Sequence, residues 1–285
     1  MKLAVDAGVP AVTFLIMTIV GLDLTRADFE RVRSRPRVLA AGLLGPLVLL
    51  PPVALAVLAA VPMPDETRAG LLLLAVCPVG GISNTYNYLA RASTALSVTL
   101  TALSCLLAVV TMPLLSSVFE VVLGRPFGFR APVGPLAAQI LVMLVLPVAV
   151  GMTIRSRAPD FALRHEKAFR RAASVSIVLL LGFIVWSEWS RFVANFAVSA
   201  GAAGLFVLLA MAAGGLAAVA AGADRRERFT LSVEFATRNA AIAAAVAVTL
   251  LGDTRFAVFA TTYFVTEAVP ILAAVALFRV RSRAA

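Results

Sequence analysis

Long apolar runs broken by short charged punctuation set the pattern of this chain. A window of about 20 residues, the length needed to cross the hydrocarbon core of a bilayer as a helix, picks out nine spans. They lie at 4–22, 38–61, 69–90, 94–119, 134–153, 172–189, 197–221, 229–251 and 256–278. Between them fall polar segments such as PMPDETR at 62–68, RSRAPDFALRHEKAFRR at 155–171, ADRRERF at 223–229 and GDTR at 252–255. The pattern predicts an all-α polytopic membrane protein with nine transmembrane helices, embedded in a lipid bilayer. The first run is expected to be a retained helix and not a cleaved leader. Asp6 interrupts its start, and a charged stretch follows in place of a small-residue cleavage site.

Composition agrees: 61% of the 285 residues are hydrophobic and 14% charged, and mean hydropathy is +0.97. The net charge of +10 points to no nucleic-acid partner, because the arginines cluster between apolar runs. Eighteen of the 25 lysines and arginines fall on the side holding the C-terminal tail, six fall opposite, and Arg238 lies mid-span. By the positive-inside rule this predicts an outside N-terminus and a cytoplasmic C-terminus in the cell (inner) membrane. Cys77 and Cys105 are read as buried thiols and the lone His165 as a solvated loop residue. HExxH, GxSxG and Walker-type motifs are absent from the sequence, which gives no support to an enzyme. Nothing in the sequence implies a protein partner.

Three charges stand inside apolar spans: Glu234, Arg238 and Glu267. Each costs roughly 2.5–3.5 kcal/mol at the bilayer centre on insertion scales, so each is expected to pair, face water or bind something charged. Arg238 is about ten residues from either end of its span, roughly 15 Å from an interface at 1.5 Å per residue, too far to snorkel fully. An anion must answer it at mid-depth. Glu234, Glu267 and a substrate carboxylate are the three candidates.

The third and eighth spans are unlike the rest. The third carries Pro78, Gly80 and Gly81 in mid-helix, followed by Ser83 and Asn84, and this predicts an unwound centre. The eighth places Glu234, Thr237, Arg238 and Asn239 at one depth. From Asn84 the chain turns into a helix reaching Pro113, 29 residues on; from Asn239 it turns into one reaching Pro270, 31 residues on. That arrangement predicts inverted repeats whose two broken helices cross near mid-bilayer to form a substrate and ion site.

These residues resemble a known family. CPVGGISNTYNYLARASTALSVTLTALS, GLDLTRADF and VEFATRNAA are similar to the signature segments of the bile acid:sodium symporter family, over most of residues 14–270. The resemblance implies a core domain (38–119 and 197–278) holding the crossover helices and a panel domain (4–22 and 134–189), with the family's first helix lacking. It implies one Na⁺ site made by Ser83, Asn84, Ser97, Thr101 and Glu234. Hydroxyl, amide and carboxylate oxygens are the hard ligands such an ion prefers, and Ser97 and Thr101, four apart, share a helical face. The family's second Na⁺ site does not carry over, because Arg238 and Pro46 stand where relatives have glutamines. Arg238 is expected to act as a fixed cation in that place, pairing with Glu234 or Glu267. Gly81, Arg238, Asn239 and Glu267 are the substrate-binding candidates, and their divergence from relatives argues against bile acid itself. The function implied is secondary transport of a small organic anion coupled to Na⁺. The alternatives are a proton-coupled carboxylate transporter, an arsenite-efflux-type carrier using Cys77, and a non-transporting receptor or scaffold.

Overall fold

The computed structural model describes residues 2–22, 30, 35–123 and 133–283. Residues 23–29, most of the GLDLTRADF segment, lie outside the described residues. The helices are α1 (Lys2–Leu22), α2 (Pro36–Ala60), α3 (Asp65–Val76), α4 (Ile82–Ala90), α5 (Thr94–Leu123) and α6 (Val133–Ile140). A π-helical turn at Leu141–Val145 leads from α6 into α7 (Leu146–Arg157), followed by α8 (Pro159–Ser187), α9 (Trp189–Ala220) and α10 (Arg225–Ala236). A second π turn, Val246–Leu250, continues α11 (Ala240–Ala245), and α12 (Arg255–Arg283) closes the chain. Among the described residues there is no strand, only an isolated antiparallel bridge between Val79 and Arg238.

The protein is an all-α, multi-pass membrane protein. Among the described residues five helical stretches are long and apolar enough to cross a bilayer: α2, α5, the α6–α7 unit, α9 and α12. Shorter apolar helices occupy Pro10–Leu22, Arg171–Ser187 and Ala240–Leu250. The outer surface is apolar, as contact with lipid demands: Val48, Leu216, Val269 and Val280 all stand largely exposed. Trp186 and Trp189 flank the α8–α9 junction and are also exposed, the amphipathic rings favoured where hydrocarbon meets headgroups.

The polar stretch at 155–171, expected as a long loop, is almost wholly helical. α7 runs to Arg157, Ala158 alone turns the chain, and Pro159 opens α8 in the first turn, where its missing N–H costs nothing. Arginine, lysine, glutamate and alanine are good helix formers, so the charges do not end a helix here. α9 likewise begins upstream of the 197 expected, at Trp189. The basic start of α10 is fixed by a capping box. The Asp224 side chain accepts from the Arg226 and Glu227 amides, and Glu227 accepts from the Asp224 amide. Glu227 also pairs with Arg35 at 2.6 Å, tying the starts of α2 and α10 together.

α9 lies against α2, α10 and α12, and α1 lies against α7 and α8. Gly21 and Gly151 let the backbones of α1 and α7 touch. A Cβ on Gly21 would fall 2.2 Å from the Val148 carbonyl oxygen, the close approach small residues permit between helices in lipid.

Candidate functional site

Both broken helices unwind where they meet. α3 ends at Val76 and α4 begins at Ile82; α10 ends at Ala236 and α11 begins at Ala240. The exposed backbone groups of one break are satisfied largely by the other, as a dry interior requires. The Gly80 amide donates to the Thr237 carbonyl at 3.1 Å and the Asn239 amide to the Pro78 carbonyl at 2.9 Å. The Val79 amide donates to Ser104 Oγ at 3.1 Å. Tyr263 Oη on α12 donates to the Ala236 carbonyl, and Asn239 Oδ1 accepts from the Ile242 amide to cap α11. Gly80 is required here, because a Cβ would lie 2.8 Å from the Arg238 carbonyl oxygen.

Beside the crossing, α4, α5 and α10 bring Ser83, Asn84, Ser97, Thr101 and Glu234 into one cluster. Glu234 is fully buried. Its Oε1 accepts from Ser97 Oγ at 2.6 Å and Asn87 Nδ2 at 3.1 Å, and its Oε2 accepts from Thr101 Oγ1 at 3.4 Å. Asn84 Oδ1 is within 2.7 Å of Ser97 Oγ and 3.4 Å of Thr101 Oγ1, and Ser83 Oγ is 3.3 Å from Thr101 Oγ1. A hydroxyl has one proton to donate. Ser97 therefore cannot satisfy Asn84 and Glu234 together, and Thr101 faces the same two acceptors. Carboxylate, amide and hydroxyl oxygens converge here, so the donor set suits a small hard cation. Among the described residues no three His, Cys, Asp or Glu converge as a transition-metal site would need; this cluster has one carboxylate and neutral oxygens.

Asn87 belongs to the cluster although the sequence did not single it out. Its Nδ2 lies within 3.0 Å of the Ser83 carbonyl and of Ser97 Oγ, and its Oδ1, buried, has no partner. The signal was present, since Asn87 is four residues beyond Ser83 and shares its face of α4.

Arg238 does not pair with Glu234 or with Glu267. The helix that carries Glu234 stops at Ala236 with Thr237 in extended conformation, so Arg238 does not sit one helical turn beyond Glu234. The guanidinium turns across the crossing instead, where Nη2 donates to the Cys77 carbonyl at the C-terminal end of α3, a place that favours a cation. Its Nε and Nη1 have no hydrogen-bond partner.

Arg238 also edges a cavity of about 240 Å³. Gly80, Gly81, Asn84 and Asn239 join it from the crossing; α1 supplies an apolar wall including Met17 and Val20, and α8 supplies Ile177. Of the substrate candidates, Gly81, Arg238 and Asn239 line this cavity. Glu267 does not: it is fully buried on α12, and neither carboxylate oxygen has a hydrogen-bond partner. Cys77 is also buried outside the lining, and Cys105 likewise.

Comparison with known proteins follows the same lines. Residues 10–195 match the model of the sodium bile acid symporter family. The chain is 29% identical over 170 residues to the uncharacterized sodium-dependent transporter YocS of Bacillus subtilis (strain 168), covering 60% of this chain and 50% of that protein. It is 27% identical over 238 residues to the probable chloroplastic sodium/metabolite cotransporter BASS1 of Arabidopsis thaliana, covering 84% and 58%. It is 30% identical over 151 residues to the probable chloroplastic cotransporter BASS2 of Oryza sativa subsp. japonica, covering 52% and 34%. The chain thus spans about half the length of the curated relatives it matches.

Proposed function

The chain belongs to the sodium bile acid symporter family, a family of transporters and not of enzymes, and we propose that it carries a small organic anion across a cell membrane together with Na⁺. One observation bears most of this reading. The buried cluster of carboxylate, amide and hydroxyl oxygens around Glu234 stands beside a cavity edged by a cation, Arg238.

In this reading the chain crosses the bilayer nine times, with α3–α4 and α10–α11 as single broken crossings related by inverted repetition. α1 and α6–α8 form the panel, and the remaining helices form the core. Eighteen basic residues on the C-terminal side keep that side cytoplasmic. Ser83, Asn84, Ser97, Thr101 and Glu234 hold one Na⁺, with Asn87 orienting Glu234.

Arg238 takes the place of a second ion and meets the anion's carboxylate; Gly81 gives that carboxylate access to the start of α4, and Asn239 donates to it. Glu267 acts from behind Arg238 and not on the anion directly. The cavity's size and its apolar wall favour a compact carboxylate over a steroid. Because the cavity lies at the seam between core and panel, sliding of one against the other would expose it to alternate sides. Uptake of radiolabelled small carboxylates into proteoliposomes tests the reading. Accumulation driven by an inward Na⁺ gradient is expected, and equal uptake by empty liposomes would overturn it.

A further inference from the structure

Three side chains that are charged in water are buried at the crossing or on the helices around it: Glu234, Arg238 and Glu267. Glu234 has three donors and Arg238 caps α3 and edges the cavity, whereas Glu267 touches neither the oxygen cluster nor the cavity. Its carboxylate is fully buried, and neither oxygen accepts a hydrogen bond. The groups that act on it electrostatically are Arg238 from the crossing, Tyr86 from α4 and Tyr263 one turn back on α12. α3, α8, α9, α10 and α11 also pack on α12; among the described residues they bring no other charged side chain to bear on it.

An ionised carboxylate without a partner is not sustained in such a place; it takes a proton or a counter-ion. The cation that acts on it is half free. Arg238 commits Nη2 to the Cys77 carbonyl and leaves Nε and Nη1 without partners. Arg238 also faces the cavity.

We propose that Glu267 is a proton-binding site on which a proton and the Arg238 guanidinium alternate. While Arg238 holds the Cys77 carbonyl, as it does here, Glu267 holds a proton on one carboxylate oxygen. When the guanidinium turns to Glu267, that proton returns to water. No other bond forms or breaks, and Arg238 stays charged throughout.

Infrared spectroscopy of the intact protein in lipid tests this without any substrate, so its outcome is separate from that of the uptake experiment. At neutral pH the wild type should show the C=O stretch of a protonated carboxylic acid free of hydrogen bonds. Glu267→Gln should remove that band, Glu234→Gln should leave it, and Glu267→Asp, which keeps the acid on a shorter stem, should move it. Removing the competing cation with Arg238→Gln should raise the pH at which the band is discharged by about one to three units, the scale of a lost opposite charge. A wild-type spectrum with no band that depends on Glu267 overturns the proton site. A discharge pH unchanged by Arg238→Gln overturns the alternation.

Discussion

Replacing Glu234 by glutamine removes one negative charge from the centre of the oxygen cluster and little else. The amide keeps the length of the side chain and one oxygen to accept from Ser97, whose hydroxyl lies 2.6 Å from the carboxylate. What it cannot do is balance a cation. In the proposed reading Na⁺ binds only the folded wild type and would stabilise it by mass action, by about 2.7 kcal/mol at a concentration one hundred times the dissociation constant. At roughly 2–4 °C per kcal/mol for a chain of this order of size, the melting temperature should rise by roughly 5–10 °C between choline and saturating Na⁺. Glu234→Gln should abolish that rise while melting normally in choline. Thermal-shift curves of both proteins in the two salts, at matched ionic strength, measure it. Equal curves for a wild type that transports, or a rise retained by Glu234→Gln, would refute the cation site.

Three further outcomes follow from the same geometry. Arg238→Gln should weaken anion binding by one to two orders of magnitude, from about 1.5–3 kcal/mol for a charge-assisted bond, and Arg238→Lys should restore little, because an ammonium cannot replace a planar fork; equilibrium binding of a radiolabelled carboxylate checks both. Gly80→Ala should cost about 1–3 kcal/mol of stability, since its Cβ would meet the Arg238 carbonyl at 2.8 Å, and the loss should appear as a lower melting temperature without a change in Na⁺ response. Outside the membrane, hydrogen bonds from the Arg255 side chain hold the Asp253 carboxyl below its usual range. A depressed carboxyl contributes stability above its unfolded value, about 3.9, and loses it as pH falls through the folded one. Asp253→Asn should therefore melt lower than wild type at pH 7, and the gap should close below about pH 4.

Much of the site was legible from side-chain chemistry. Ser97 and Thr101 share a helix face whatever the fold, and Pro78 with Gly80 and Gly81 forbids a regular helix, so the first break could be placed from the sequence; that these oxygens join Glu234 was implied by the family resemblance. The second break carries neither Gly nor Pro and was expected only from its matching place in the inverted repeat; the backbone bonds that hold it, from Asn239 to Pro78 and from Gly80 to Thr237, exist only once the two segments meet. With that helix open, Arg238 turns to the Cys77 carbonyl and not to a glutamate, the pairing expected from the chemistry of a guanidinium beside a carboxylate. The helical stretch at 159–171 was missed for a different reason. Charge reports where the chain leaves hydrocarbon, whereas helix termination depends on local chemistry such as the Ala158–Pro159 turn. The π turns at Leu141–Val145 and Val246–Leu250 occur in plain apolar sequence, with no composition signal to mark them.

The central claim is that one bound Na⁺ at Glu234 moves with each anion. Simultaneous counting of radiosodium and a radiolabelled carboxylate entering the same proteoliposomes tests it most directly. The account predicts one Na⁺ per anion, a hyperbolic dependence on Na⁺ concentration, and loss of both fluxes in Glu234→Gln. Two Na⁺ per anion with a sigmoidal dependence, or anion entry with no accompanying sodium, would contradict it.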